Sequence, residues 1–127
     1  MDFSEQLKSA IIALNLPIPT KIGVPGTNEG AWLYPVPGGQ VTREYMDGDK
    51  DEDLTYEYVI KSKNAEAASE QLGRVSEFLE RLSVLDSHDN SFVFNQIKIT
   101  SKPAQSQADE QGFFYWGVDF TATLTTR

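Results

Sequence analysis

The stretch Asn64–Leu82, NAEAASEQLGRVSEFLERL, decides the fold. Ala65, Ala68, Leu72, Val75, Leu79 and Leu82 recur at spacings of three and four, so they share one face of an α-helix. Phe78 widens that face toward the stripe a globular helix buries. Asn64 is the expected N-cap, because its side-chain oxygen can accept an orphan N–H of the first turn. Glu66 then sits where the helix dipole favours negative charge. Glu70 with Arg74, and Glu77 with Arg81, are i,i+4 pairs worth about 0.2–0.5 kcal/mol each. Burying Leu72, Val75, Phe78, Leu79 and Leu82 contributes far more, roughly 8–15 kcal/mol gross before entropy is subtracted. Such a face needs a partner, and the flanking segments supply strands. The helix itself reads as scaffold.

Upstream, Leu54–Ser62 alternates Leu54, Tyr56, Tyr58 and Ile60 with Thr55, Glu57, Val59 and Lys61, the pattern of a half-buried strand. Gln40–Tyr45 is its expected hairpin partner, with the acidic connection MDGDKDED between them. Downstream, Phe92–Ser101 has conflicting parity. Phe92 and Phe94 fall on one face, Ile97 and Ile99 on the other, and a bulge near Asn95–Gln96 reconciles them. Ser87–Ser91 reads as a turn cluster and Pro103–Gly112 as a polar loop. Phe113–Thr126 is the closing strand. Phe114, Trp116, Val118, Phe120, Ala122 and Leu124 form its apolar face, and Phe113, Tyr115, Asp119, Thr121 and Thr123 the other.

Toward the N-terminus, Asp2–Leu14 is a first helix with Phe3, Leu7, Ala10, Ile11 and Leu14 on one face. Asp2 and Glu5 have capping-box spacing, Asn15 suits the C-terminal end, and Pro17 stops further helix. Pro17–Gly39 holds five of the six prolines and five of the nine glycines, so only short extended pieces fit, at Thr20–Val24 and Ala31–Val36. In the second piece Trp32 and Tyr34 point one way and Leu33 the other. Pro35 and Pro37 lack the N–H of a central strand, which makes this an edge strand or a projecting loop. Two uses fit it: a partner-binding arm, or an irregular loop laid over the core. The whole is an α+β two-layer sandwich in a single domain, 1–127. One mixed or mostly antiparallel sheet of about 4–5 strands carries two helices packed on one face.

Composition narrows the function. The net charge is −8, and Glu44–Glu57 holds seven acids against the single base Lys50. So acidic a chain gains nothing from counterion release, and neither DNA nor an anionic membrane is an expected ligand. There is no cysteine for a disulfide or a thiolate metal site. No apolar run approaches the ~20 residues of a membrane span. The acidic, amphipathic N-terminus is not a signal peptide, which points to the cytoplasm or a particle assembled there.

No catalytic, cofactor-binding or metal residues emerge, and an enzyme is not expected. His88 sits in a Ser/Asp/Asn turn without a nucleophile beside it, as a solvated histidine does. VPGTNEG and VPGG lack the spacing of a phosphate loop. Asp47, Asp49 and Asp51 begin like a calcium loop, but Glu52 stands where that loop needs glycine and Tyr58 where it needs glutamate. The acidic stretch therefore reads as a hairpin tip, mobile unless a cation neutralises it. It is suited to steering a basic partner or repelling a passing polyanion.

The runs LTYEYVIKSKNAEAASEQLGRVSEFLERL and FNQIKITSKPAQSQADEQGFFYWGVDFTATLTT together resemble the minor capsid or tail terminator proteins of long-tailed bacteriophages. The shared pattern is a strand ending in a KSK-like turn, an Ala/Glu-rich helix, a strand, a polar loop and a long aromatic-to-threonine strand. The resemblance implies a virion protein of the tail or neck, assembled in the host bacterial cytoplasm. It implies a hexameric ring of copies that caps the tail tube, stops its polymerisation and docks to the head–tail connector protein. DNA passes through without specific binding, and no cofactor is expected. The partners are then further copies of the chain, the tail tube protein and the connector. On that reading Asp47, Asp49, Asp51, Glu52 and Asp53 face the channel or a partner, and Trp32, Leu33, Tyr34 and Pro35 make subunit or partner contacts. The alternatives are a head completion or neck protein, and a small non-catalytic ligand-binding or adaptor domain.

Overall fold

A computed structural model describes residues 3–23, 26, 29–36, 39–85, 87, 91–105 and 112–126, with 101–105 as backbone only. The expected roles of Asp2, Pro37 and His88, and residues 106–111 of the expected polar loop, lie outside the described residues. The elements are α1 (Phe3–Ile12), β1 (Thr20–Ile22), β2 (Gly30–Pro35), β3 (Gln40–Glu44), β4 (Lys50–Ser62), α2 (Ala65–Arg81), β5 (Phe92–Gln105) and β6 (Phe114–Thr126).

The sheet has six strands rather than 4–5, in the order β1-β2-β4-β6-β5, with β3 also on β4. The extra strands come from the Pro/Gly-rich segment, whose short pieces still find partners. β1 pairs parallel with β2 and the other pairings are antiparallel, so the sheet is mixed. β2 and β3 run along the same edge of β4, one after the other. Pro35 lies opposite Tyr56 and Gln40 opposite Asp53. Gly39 permits the passage between them, since a Cβ there would stand 2.9 Å from the Asp53 carbonyl oxygen.

β5 extends to Gln105, beyond the predicted end at Ser101. Its register shifts between Phe94 and Gln96, where the parity conflict requires a bulge. That shift brings Phe94, Ile97 and Ile99 all against the core.

Both helices cover one face of the sheet. Leu72, Val75 and Leu79 of α2 and Phe3, Leu7 and Ile11 of α1 share one cluster with Tyr56, Tyr58, Ile60, Val118, Phe120, Ala122 and Leu124. Phe3 meets the Tyr56 ring at 5.4 Å and the Phe92 ring at 5.5 Å. Asn64 caps α2, its side chain accepting from Ala67 N–H at 3.1 Å. Arg81 pairs with Glu77 at 3.0 Å, and Arg74 donates to the Leu14 carbonyl at 3.0 Å. Asn15 takes φ 56° just past α1, the left-handed conformation that asparagine tolerates at a helix end.

Two buried polar side chains, Gln71 and Ser76, interrupt the apolar stripe of α2, and Gln71 is the one that reaches across to the connection after α1. Gln71 accepts from Ile18 N–H at 2.9 Å and donates to the Ile18 carbonyl at 2.9 Å. Its amide also donates to the Tyr58 hydroxyl at 3.2 Å, which in turn lies 2.9 Å from Thr20 Oγ1. The amide thus acts as a strand would, satisfying both backbone groups of Ile18 where the chain leaves α1.

This packing sets the expected cost of two kinds of substitution. Leu72→Ala or Leu79→Ala should cost about 2–5 kcal/mol in urea unfolding. Gln71→Leu should cost about 1–3 kcal/mol despite adding apolar surface, because Ile18 N–H and C=O are left dry.

Candidate functional site

The face of the sheet opposite the helices is built by the other parity of β4 and β6. Along β4 it presents Asp51, Asp53, Thr55, Glu57, Val59 and Lys61. Their cross-strand partners on β6 are Thr125, Thr123, Thr121, Asp119, Gly117 and Tyr115. Threonine hydroxyls hold the carboxylates in place. Thr125 donates to Asp51 at 2.7 Å and Thr123 to Asp53 at 2.9 Å. Thr55 and Thr121 hydroxyls lie 3.4 Å apart.

The acidic stretch is therefore not the long mobile connection expected from MDGDKDED. Lys50–Asp53 belong to β4 and pair with β3 on one side and β6 on the other. Only Tyr45–Asp49 make the turn, with Gly48 at φ 93°. Charge repulsion does not unravel the strand, because the pleat sends neighbouring acids to opposite faces. Asp51 and Asp53 stand on the open face and Glu52 on the other. Asp51 also accepts from Tyr45 Oη at 2.9 Å. The Thr125 hydroxyl first, and then that of Tyr45, hold the Asp51 carboxyl below the usual carboxylate range. Asp47 accepts from Asp49 N–H at 3.1 Å within the turn.

Midway along the face, Glu57 and Asp119 stand directly opposite one another. Tyr34, reaching across from β2, donates its hydroxyl to Glu57. Burial first, and then the hydrogen bond shared with Asp119, push the Glu57 carboxyl above its ordinary value. Burial first and then Glu57 raise Tyr34, so its hydroxyl stays protonated and donating.

At the far end the face turns aromatic and basic. The Lys61 ammonium lies 4.8 Å from the Phe113 ring centre and 5.3 Å from that of Tyr115, and Lys63 lies 5.0 Å from Phe113. Ser62 donates to Glu29 at 2.7 Å.

Of the four residues singled out on β2, Trp32 and Tyr34 share the open face, opposite Val59 and Glu57, and Leu33 points the other way, as their alternation predicts. Leu33 is wholly buried in the helix-side core, and Trp32 is 7% exposed. Tyr34 is half-buried on the open face and Pro35 is exposed. Sequence reading missed the Tyr34–Glu57–Asp119 group. The parity of β4 and β6 was legible, but not their adjacency.

A family model described as bacteriophage tail terminator protein matches residues 20–126. Among curated proteins none matches the chain. Among solved structures, a chain from the virion of a native gene transfer agent particle is similar, with a TM-score of 0.53 at 12% identity. The similarity covers 93% of this chain and 84% of that one. At that identity the likeness is one of fold.

The two shifted carboxyls give opposite pH signatures. Glu57 has a raised pKa in the fold, so it lowers stability as pH rises from its ordinary 4.5 through that raised value. Asp51 has a depressed pKa, so the stability it contributes above its ordinary 3.8 is lost as pH falls through the depressed value. Melting temperature should therefore fall less in Glu57→Gln as pH rises from 4.5, and fall less in Asp51→Asn as pH drops below 3.8.

Proposed function

The chain belongs to the bacteriophage tail terminator family, and on that premise we propose that it closes the tail tube. In this reading copies form a hexameric ring on the head-proximal end of the tube. The ring ends polymerisation and offers its other side to the head–tail connector. Contacts between neighbours in a ring are heterologous, so two different surfaces of one chain must meet.

The observation that carries the proposal, beside the family, is the open face. It is acidic at the β3–β4 end, and its carboxylates there are tied to threonines of the next strand. A wall of that kind suits a channel for DNA, because like charge keeps phosphates from sticking and the hydroxyls hold the charges in place. Asp51 and Asp53 are the wall residues in this assignment. Asp47 and Asp49 at the turn face a partner, and Glu52 belongs to the opposite side. Subunit contact at the β2 edge falls to Tyr34 and Pro35, since among the described residues β1 pairs only with Ala31–Leu33. Leu33 anchors that edge in the core, and Trp32 lies buried beside Tyr34 on the open face.

Size-exclusion chromatography with light scattering tests the reading, with the chain alone and mixed with tail tube protein from the same particle. The expected result is a complex whose mass accounts for a ring of this chain on the tube. A chain that stays monomeric in both samples overturns it. In the Asp51→Asn/Asp53→Asn double variant, the fold and ring mass should hold, with at most a small drop in melting temperature from the lost Asp51 carboxylate, while DNA delivery by assembled particles falls.

A further inference from the structure

The turn between β3 and β4 carries an apolar tip among its acids. Met46 is fully exposed and Tyr45 38% exposed in the turn, and Val41, 50% exposed, precedes them on β3. These are three of the seven exposed large hydrophobic residues found among those described, gathered in six positions. Asp47 and Asp49 flank the tip. The hollow beside it is lined by Tyr45, Met46, Asp47, Asp49 and Thr125, all sheet-side residues.

A groove of complementary character lies on the other layer. Between the end of α1 and the second half of α2, Leu14 and Phe78 form an apolar floor. Arg74, Arg81 and Glu77 form the rim of this hollow of about 280 Å³. Two guanidiniums against one carboxylate leave the rim positive. Arg74 and Arg81 each keep N–H donors beyond their bonds to Leu14 and Glu77. A flexible thioether suits a shallow, irregular floor of this kind.

We propose that the β3–β4 tip of one copy seats in the α1–α2 groove of the next. Met46 meets Leu14 and Phe78, while Asp47 and Asp49 meet Arg74 and Arg81. The two surfaces differ, so the contact is heterologous and repeats from copy to copy until rotation closes it. The inference rests on the ring reading and names the surfaces that would build the ring.

The chain has no cysteine, so introduced thiols report only themselves. The test oxidises full-length Met46→Cys/Glu77→Cys, with each single variant as control, in the presence of tail tube protein. Light scattering is recorded on the same samples. The expected result is a ladder of covalent oligomers beyond dimer in the double variant, and at most dimer in the singles. Asp47→Arg/Asp49→Arg should abolish assembly, and adding Arg74→Glu/Arg81→Glu should restore it. An assembled ring without the ladder overturns this contact and leaves the ring standing. A cross-link from the tip to the tube protein instead of to a second copy also overturns it. Absence of any assembly by light scattering overturns the ring reading itself, and this contact with it.

Discussion

The pairing of β4 with β6, unbroken from Lys50–Thr126 to Ser62–Phe114, is the constraint on which the structure depends. With both strands locked along their whole length, their parity is fixed everywhere at once. Even-numbered residues of each face the helices and odd-numbered ones face away. Slippage by one residue would move Tyr56, Tyr58, Ile60, Phe120, Ala122 and Leu124 out of the core together. Other elements adapt to this ribbon. β5 takes bulges to keep its apolar residues on the core side, and β2 and β3 share the edge of β4 with Gly39 between them.

Covering such a sheet on one side only has a consequence for chemistry. The helix side is closed by aliphatic and aromatic packing, with the Gln71 amide among its few buried polar groups. The open side holds a ladder of threonines and carboxylates, partly shielded by neighbouring strands. Two hydroxyls depress Asp51 at the exposed end of the face, while burial and Asp119 raise Glu57 in its middle. Charges on this face are held by the fold, so the face acts as a fixed electrostatic surface.

The separation of duties suits an assembly protein. The core and α2 keep the sheet in register. The β3–β4 turn, placed at the end of the ribbon, carries apolar and acidic groups that no part of the core uses. In the proposed reading, the open face and the projecting turn are the surfaces that meet large neighbours.

Sequence by itself determined the elements that carry strong periodicity. α2 with its Asn64 cap, the two-faced strands β4 and β6, and the bulge in β5 all followed from spacing, because local geometry sets which residues share a face. Sequence also marked the acidic stretch, but placed all of it in a loop. Asp51, Glu52 and Asp53 lack strand propensity, and what holds them extended is pairing with β3 and β6, the latter distant in the chain. The opposition of Glu57 and Asp119, the reach of Tyr34, and the clasp of Gln71 on Ile18 likewise rest on which elements lie side by side. Strand order is a property of long-range contacts, and a period of two or of 3.6 holds no information about it.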